Sequence, residues 1–491
     1  MVTRTAQRER LRQYEGIREF VERVDALGEL KRVNGADWEL EIGTISELNA
    51  KKRDGPAILF DQIKDYPPGY RVLTGSMLTP SRVALVLGLP PTLDSHQMVE
   101  ALRGKPRQWE AQSPEFPPEV IPASSAPCME NVLRGDDIDL LKFPTPKWHE
   151  LDGNRYIGTG CTIITRDPDT GLVNVGTYRV GIHDKKRTGI MISPGKHGRL
   201  HMEKWHARGE PAPIAVSVGH DPLMFCFSAL EIPQGICEYN YVGAVKGDAQ
   251  RVFEGPVTGL PIPWDSEIAF EGFVSPTELQ HEGPFGEWTG YYASGERPQP
   301  VITVEALYHR NDPIILGAPP GKPPYDISYF RTVFRSSMIK DALERAGVPD
   351  VRAVWVPPLG GNRLWLVVSI KQRYAGHARQ AGFVACQVRE GAYAGRYVVV
   401  VDEDIDPTNI EDVLWAICTR SDPVNDIDFI RRAWSTGLDP MIRANQPTFN
   451  SRAIIDACRP WEWMSEFPAV SESSPELVAK VREKWADKLE L

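Results

Sequence analysis

Two glutamates, Glu282 and Glu287, stand five residues apart in a segment rich in glycine and aromatic residues. The segment reads Glu-Gly-Pro-Phe-Gly-Glu-Trp-Thr-Gly-Tyr over residues 282–291. Because Gly-Pro and Phe-Gly separate the two acids, we expect them on a turn rather than on a helix or a regular strand. Paired carboxyl groups on such a turn are a common way to drive two pKa values apart, which leaves one acid and one anion. A solvated surface turn is the alternative.

Two other motifs contain residues that could carry chemistry. His197 and His201 have the i,i+4 spacing that places two side chains on one helix face, where they could share a metal ion. Without a third ligand nearby, two surface histidines are the alternative. Residues 317–322 faintly resemble a phosphate-binding loop. That interpretation is rejected, because one residue is missing between the glycines and Pro323 stands where Ser or Thr is needed.

The composition of the 491 residues is that of an ordinary globular protein, with 42% hydrophobic and 25% charged residues. This length predicts two or three domains. The formal net charge of −10 argues against nucleic-acid binding, which needs a basic surface. Seven cysteines without a Cys-x-x-Cys pair argue against structural zinc and a disulfide framework. A polar start and no apolar stretch of about 20 residues argue against a signal peptide and a membrane span, and so predict a cytoplasmic protein.

The first part of the chain predicts alternating helices and strands. Apolar residues recur every three or four positions from Leu11 to Leu27, and Gly28 follows, which predicts an amphipathic helix with a glycine stop. The next predicted elements are a strand at 30–33, a helix at 42–51, a strand at 57–63 and helices at 81–87 and 96–103. A proline-rich stretch at 113–127 is predicted to be a linker.

The middle of the chain, from about residue 138 to 319, consists of short β-branched runs divided by glycines and prolines. This pattern is typical of a β-barrel or sandwich. Its predicted strands include 161–165, 173–180, 214–218, 268–274, 301–307 and 314–316. After residue 324, helices alternate with strands, which predicts an open α/β domain. The helices are 333–346, 375–386, 410–418 and a charged amphipathic one at 476–489; the strands are 351–356, 364–370 and 397–401.

Four further segments accompany the glutamate turn. They are 148–156 (Trp-His-Glu-Leu-Asp-Gly-Asn-Arg-Tyr), 174–179 (Asn-Val-Gly-Thr-Tyr-Arg), 194–197 (Pro-Gly-Lys-His) and 238–243 (Glu-Tyr-Asn-Tyr-Val-Gly). Together with residues 282–291, these segments resemble the UbiD family of prenylated-FMN-dependent decarboxylases. The resemblance runs from about residue 17 to 457 and rests on several motifs in the right order and spacing.

The resemblance completes the predicted architecture as a multidomain α+β protein. It implies a central split β-barrel domain at 121–325 that binds the prenylated flavin. An N-terminal α/β domain at 1–120 precedes this barrel. A C-terminal α/β domain at 326–491 follows it and carries an oligomerisation helix.

The resemblance also implies a catalytic network of Glu282, Arg179 and Glu287. Loss of a carboxylate from an sp² carbon leaves an electron pair that needs an electron sink, which cofactors supply. In this family the sink is the prenylated flavin, which forms a covalent adduct with the unsaturated substrate. After CO2 leaves, Glu287 is predicted to deliver a proton, so it must be protonated near neutral pH through burial or a nearby anion. Glu282 would be that anion, held by Arg179, which can also orient the substrate carboxylate. A structural ion pair is the alternative.

The family's metal site falls on Asn174, His197 and Glu238, which would hold Mn²⁺ against the flavin phosphate. These oxygen and nitrogen ligands suit a hard or borderline divalent ion. Alternatively, Asn174 is a strand or turn amide, His197 is a core histidine and Glu238 is a strand carboxylate that faces solvent. Lys196 and a phosphate-contacting Lys371 are the other predicted cofactor-binding residues, and K⁺ is a further candidate ion.

The predicted function is non-oxidative, reversible decarboxylation of an aromatic, heteroaromatic or α,β-unsaturated carboxylic acid. One alternative is a carboxylase that runs the same chemistry in reverse on a phenolic or heteroaromatic substrate. Another is an inactive flavin-binding partner subunit, against which the intact acid network argues. A flavin prenyltransferase would supply the cofactor. The resemblance and the helix at 476–489 together predict a homodimer or a higher homo-oligomer.

Two points of geometry stay open in the sequence. If residues 174–179 formed one regular strand, Asn174 and Arg179 would face opposite sides. Either Gly176 marks a bulge, or the two residues serve different sides of the cofactor. The polar residues that precede this stretch either line the cofactor pocket or form a hydrogen-bonded turn. These residues are His149, Asp152 and Arg155.

Overall fold

The computed structural model describes residues 14–52, 54–233, 235–293, 295–443 and 445–489. Within these residues the strands form four sheets, flanked by helices, in a mixed α/β chain with several domains. The predicted multidomain α/β character is therefore confirmed. The domain boundaries stay a prediction.

The N-terminal part holds a four-stranded sheet under helices. The predicted first helix ends before Gly28, which has a φ of 74°, while its predicted start at Leu11 lies outside the described residues. The sheet order is β1-β2-β3-β16, so a strand from far along the chain, β16 (Ile314–Leu316), completes it. The other elements are α1 (Gly16–Ala26), β1 (Leu30–Asn34), α2 (Glu41–Ala50), β2 (Ala57–Asp61), β3 (Arg71–Thr74), α3 (Pro80–Leu87), α4 (Ser95–Leu102) and α5 (Lys105–Gln112).

The proline-rich stretch at 113–127 is not a simple linker. It contains β4 (Glu119–Ile121), which pairs in parallel with β12 (Arg251–Glu254). β13 (Pro261–Pro263) pairs with the other edge of β12 and completes a three-stranded sheet. The prolines of the stretch lie outside this short edge strand, with Pro118 and Pro122 directly on either side of it, so none of them removes a hydrogen bond from the pairing.

The central part is built on a nine-stranded sheet. Its main path runs β6-β9-β10-β15-β14-β11-β7-β8, and β5 pairs with β15. The strands are β5 (Asn131–Arg134), β6 (Arg155–Gly158), β7 (Cys161–Arg166), β8 (Val173–Gly176), β9 (Arg179–Ile182), β10 (Arg187–Met191), β11 (Ala212–Val218), β14 (Ile268–Glu282) and β15 (Arg297–His309). Three helices belong to this part: α6 (His197–Ala207), α7 (Pro222–Ser228) and α8 (Glu238–Lys246).

The nine-stranded sheet is curled, because strands from opposite ends of its path are joined by very short links. Residues 159–160 connect β6 to β7, and residues 177–178 connect β8 to β9. Such links can be spanned only if the two ends of the sheet approach each other. The predicted β-rich central region is confirmed as a curled half-barrel sheet. The strand predicted at 173–180 is in fact two strands.

The C-terminal part is an α/β layer structure with the sheet order β17-β18-β19-β21-β20. Successive valines of β19 point to opposite faces of this sheet: Val398 and Val400 join the core with α9 and α10, whereas Val399 and Val401 join the core with α12. The strands are β17 (Val351–Trp355), β18 (Trp365–Ile370), β19 (Tyr397–Asp402), β20 (Ile427–Trp434) and β21 (Phe449–Ala457). The helices are α9 (Ser328–Arg345), α10 (His377–Ala385), α11 (Arg389–Ala392), α12 (Ile410–Arg420) and α13 (Pro475–Leu489).

The terminal helix α13 has an apolar face that stays accessible in the single chain. Leu477, Val478, Val481 and Trp485 are between 37% and 49% exposed. Their spacing places them on one side of the helix. None of the helices in the described residues is long and apolar enough to cross a lipid bilayer.

Candidate active site

The segment that carries the two glutamates begins where the longest strand ends. Glu282 is the last residue of β14, and Gly283 follows with a φ of 91°, in the region that glycine tolerates best. The Gly153 N–H donates to the Pro284 carbonyl at 3.0 Å. A Cβ on Gly153 would lie 1.8 Å from the Gly283 carbonyl oxygen, so no side chain fits there. The turn is therefore fixed by a close backbone contact with the segment before β6.

Arg179, the first residue of β9, bridges the two glutamates. Its Nε lies 3.0 and 3.2 Å from the carboxylate oxygens of Glu282, and its Nη2 lies 2.8 Å from Oε2. Its Nη1 lies 3.0 Å from Glu287 Oε1. The side chains of Arg179, Glu282 and Glu287 are 6%, 0% and 12% exposed, so this is a buried network and not a solvated surface turn.

Charge and burial compete at Arg179. Burial lowers the pKa of its guanidinium, but the adjacent carboxylate of Glu282 outweighs that effect and the pKa is raised. Arg179 thus stays a cation between the two acids. The structure brings the three predicted catalytic residues together, while their roles stay a prediction.

Tyr156 is a fourth member of this network, although no sequence motif assigns it a role. Its hydroxyl donates to Glu282 Oε1 at 2.6 Å. Its ring packs on Phe285, with ring centroids 4.2 Å apart, and is fully buried. The sequence signal for Tyr156 is that it lies in the same polar segment as Gly153. Sequence alone could not reveal the contact, because 126 positions separate Tyr156 from Glu282.

The polar residues beside Tyr156 form a hydrogen-bonded turn. The His149 N–H donates to Asp152 Oδ2 at 3.0 Å, and the Asp152 N–H returns a bond to the His149 carbonyl at 3.1 Å. Arg155 Nε donates to the Thr145 carbonyl at 2.8 Å, and its guanidinium lies 3.9 Å above the Trp38 ring. Of the two interpretations left open, the structure favours the turn. These side chains support the segment that holds Gly153 and Tyr156.

Asn174 and Arg179 lie on separate strands, β8 and β9, which settles the open point about their relative orientation. The chain turns at residues 177–178. The ring of Tyr178 fills the space beside two glycines, since a Cβ would lie 2.6 Å from it at Gly176 and 3.1 Å from it at Gly198. The two predicted site residues therefore belong to strands at opposite ends of the sheet path, brought together by its curl.

The predicted metal ligands lie on β8 and at the first residues of the two helices that pack on it. Asn174 is in β8, His197 begins α6 and Glu238 begins α8, and both helices contact β8. Glu238 is therefore not a solvent-facing strand carboxylate. It is buried, and its Oε2 accepts the Val175 N–H at 2.7 Å. Burial raises the pKa of Glu238 to about 7, against a smaller opposing effect of backbone N–H groups.

Metal binding is not shown by this arrangement. In the part of the chain that the structure describes, no three His, Cys, Asp or Glu side chains are placed to hold a metal ion. The predicted ligands are one His, one Glu and one Asn, and asparagine is not one of these four residue types. The predicted metal site therefore stays a prediction. His201 belongs to the core, because it is buried and its Nδ1 lies 3.0 Å from Thr165 Oγ1.

The structure separates the two predicted lysines. Lys196 precedes α6, and its Nζ lies 3.3 Å from Glu231 Oε1. Arg363, just before β18, approaches the same oxygen at 3.0 Å, so Glu231 links the central and C-terminal parts. Lys371 follows the last residue of β18 and pairs with Glu403 at 3.3 Å. β18 lies between Arg363 and Lys371, and the contact of Lys371 with the flavin phosphate stays a prediction.

Glu287 lies on its own small turn next to the C-terminal part. Its N–H donates to the Tyr291 carbonyl at 3.0 Å, and the Gly290 N–H donates to the Glu287 carbonyl at 2.8 Å. The following residue, Trp288, contacts the loop before β18, since a Cβ on Gly361 would lie 2.7 Å from its ring. The second glutamate is therefore positioned partly by the C-terminal domain.

Three family models together match most of the chain. They are the N-terminal, Rift-related and C-terminal domains of 3-octaprenyl-4-hydroxybenzoate carboxy-lyase, and they match residues 21–102, 119–323 and 328–457. The chain belongs to the UbiD family. It is a carboxy-lyase of the decarboxylase type, as the resemblance implied.

Relatives of this UbiD chain extend over nearly its whole length. It is 32% identical to the pyrrole-2-carboxylic acid decarboxylase of Pseudomonas aeruginosa over 492 residues, which cover 96% of this chain and 97% of the relative. It is also 32% identical to a phenolic acid decarboxylase of Streptomyces sp. (strain D7), with coverage of 91% and 92%.

Solved UbiD structures share the fold. HmfF from Pelotomaculum thermopropionicum, in complex with FMN, superposes with a TM-score of 0.83 at 28% identity, covering 96% of this chain and 100% of that one. The open form of the vanillic acid decarboxylase of Sedimentibacter hydroxybenzoicus gives a TM-score of 0.81 at 30% identity, with coverage of 97% and 100%.

Proposed function

We propose that this UbiD enzyme decarboxylates an aromatic or heteroaromatic carboxylic acid with prenylated FMN, without net oxidation. The single observation that carries the mechanism is the contact of the buried Arg179 with two carboxylates, the buried Glu282 and the largely buried Glu287. The substrate class is supported by the relatives, which are named for pyrrole-2-carboxylic acid and phenolic acids. The cofactor is supported by neighbours solved with FMN and with prenylated FMN.

The chain's own residues divide the work of the reaction. Bound prenylated FMN would supply the electron sink for loss of CO2. Arg179 would orient the substrate carboxylate and, through Nε and Nη2, hold the Glu282 carboxylate in place. Glu287, on the Nη1 side of the same guanidinium, would donate the proton that replaces CO2. Burial of the network excludes water that would weaken each of these interactions.

The buried carboxylate of Glu238 supports a cation at the predicted metal site. Burial alone disfavours its ionised form, and a divalent ion would compensate that cost. Asn174 and His197 would complete the ligands from the protein, and Mn²⁺ suits this donor set. Lys196 stands next to His197 and would be a further cofactor-binding residue. A flavin prenyltransferase is the proposed source of the cofactor.

The proposal is tested on chain co-expressed with a flavin prenyltransferase and purified in the dark with Mn²⁺. Native mass spectrometry and the visible spectrum should show bound prenylated FMN. Release of CO2 should then be measured with pyrrole-2-carboxylate, phenolic acids and a phenylacrylic acid. We expect turnover with at least one aromatic or heteroaromatic acid. Full cofactor loading with no CO2 from any of these acids would contradict the proposed function.

His197→Ala is expected to weaken retention of the flavin by at least about tenfold, because a metal ligand is lost. Flavin absorbance and manganese content per chain after gel filtration measure the effect. His206→Ala is a matched control on the same helix, where Nε2 contacts the Val274 carbonyl at 3.0 Å. Equal flavin and manganese contents in the two variants would count against the metal site.

The exposed apolar face of α13 supports a homo-oligomer as the working state. Leu477 and Val481, one turn apart, are 49% and 39% exposed in the single chain. A second copy that packs on this face would bury them. Light scattering should give a mass of at least two chains, and a monomer at micromolar concentration would exclude this proposal.

A further inference from the structure

Tyr156 makes a contact that the proposed mechanism does not yet use. Its hydroxyl donates to Glu282 Oε1 at 2.6 Å, the same oxygen that Arg179 Nε approaches at 3.0 Å. The backbone of Tyr156 is fixed as well, because its carbonyl accepts from Trp148 Nε1 at 3.1 Å. Its ring lies against Phe285 of the catalytic turn. The backbone contact with Trp148 and the ring contact with Phe285 therefore together direct the hydroxyl at one carboxylate oxygen.

The state of the phenol decides what it can do there. Burial and the negative charge of Glu282 both raise the pKa of Tyr156, so the hydroxyl keeps its proton. A neutral phenol that faces a carboxylate at this distance donates to it, and this short hydrogen bond fixes the position of the accepting oxygen. The other ionisable groups around Glu282 come from the neighbouring strands and the turn. They are Arg179, His183, Glu287 beyond Arg179, and Arg297, which stands opposite Glu282 on β15.

We propose that Tyr156 is a positioning residue for the decarboxylation, because its hydroxyl fixes the Glu282 carboxylate where Arg179 contacts it. This inference rests on the proposed function. With Glu282 held by Tyr156 and by Nε and Nη2 of Arg179, the Nη1 group remains directed at Glu287. Without the hydroxyl, the Glu282 carboxylate is free to rotate, and Arg179 loses the fixed partner that orients it.

The same chain offers a matched control at the other end of β14. The Tyr308 hydroxyl donates to Glu271 Oε1 at 2.7 Å, and both side chains are fully buried. Glu271 contacts Thr258 and has no part in the proposed mechanism. Tyr156→Phe and Tyr308→Phe thus each remove a hydroxyl that donates to a buried glutamate. Only the pair of Tyr156 with Glu282 belongs to the catalytic network.

The test measures kcat and KM separately for both variants and the wild-type holoenzyme, per flavin-loaded chain. We expect Tyr156→Phe to lower kcat by about 10- to 100-fold, the worth of a hydrogen bond to a charged group. KM should stay close to wild type, because a displaced Glu282 and Arg179 weaken the transition state more than substrate binding. Tyr308→Phe should keep the wild-type kcat per loaded chain, even if both variants melt at lower temperature.

A second readout needs no turnover. The ultraviolet resonance Raman difference between wild type and Tyr156→Phe should show a tyrosine that donates a strong hydrogen bond. A wild type that shows this signal but decarboxylates no acid would overturn the proposed function alone. An active wild type whose kcat per flavin-loaded chain is unchanged in Tyr156→Phe, or a difference spectrum without a donor signature, would overturn the assignment of Tyr156.

Discussion

Glu287→Gln should keep the fold and the flavin and lose about 10²- to 10⁴-fold in turnover, the usual worth of a positioned acid. Glutamine has nearly the same shape and can still accept from Arg179 Nη1, but it has no proton to give at this point. The variant should be measured in single-turnover experiments with a substrate identified for the wild type. Flavin content is measured from the same preparation.

The control for this result is Glu267→Gln, a buried ion-pair change outside the catalytic network. Glu267 is fully buried and pairs with Arg18 at 2.8 Å and Arg310 at 3.1 Å. This variant should lose stability and keep turnover per folded chain. Wild-type turnover in Glu287→Gln would remove Glu287 as the proton donor, whatever the control shows.

Arg179→Ala has the second large expected effect, on stability and on catalysis together. It leaves the buried carboxylate of Glu282 without its cation, a change that typically costs about 3–5 kcal/mol. The same change removes the contact of Nη1 with Glu287 and the group that orients the substrate. We therefore expect a lower melting temperature and no measurable CO2 release from the protein that remains folded.

Arg420→Ala separates these two effects. Arg420 is also buried and also joins two acids, Asp402 at 3.3 Å and Asp404 at 2.9 Å, but it lies within the C-terminal domain. Its loss should lower the melting temperature and leave turnover per folded, flavin-loaded chain close to wild type. Similar losses of turnover in both arginine variants would mean that the role of Arg179 is structural.

Local periodicity predicted most helices and strands of the two end domains. The strand at 397–401 and the helix at 410–418 appear with nearly the predicted limits as β19 and α12. Their apolar patterns follow a single sheet face or helix face, which a sequence shows directly. The strand β20 was missed because it is a half-exposed edge whose residues alternate poorly. Helices α6 to α8 were missed inside a region interpreted as wholly β.

Non-local contacts account for the remaining differences. Nothing in residues 314–316 indicates that β16 joins the N-terminal sheet, because the pairing with β3 spans more than 240 positions. The break between β8 and β9 depends on Tyr178, whose ring fills space against Gly198 of α6. Helix and strand propensities do not contain such information.

The site was predictable to the extent that its motifs resemble a family. The grouping of Arg179, Glu282 and Glu287 followed from that resemblance, and the geometry agrees. Tyr156 was missed because it is a buried tyrosine in a strand, a common feature of any β-rich core. Only the 2.6 Å distance from its hydroxyl to Glu282 Oε1 distinguishes Tyr156 from an ordinary core tyrosine.

The contact between Gly153 and Gly283 has a consequence for directed evolution of this enzyme. A Cβ at Gly153 would lie 1.8 Å from a backbone oxygen, and backbone cannot move aside as a flexible side chain can. Libraries that vary Gly153 will therefore return the parent residue, however strong the selection for a new substrate. Productive diversity must come from side chains around the catalytic turn, while its backbone stays constant from variant to variant.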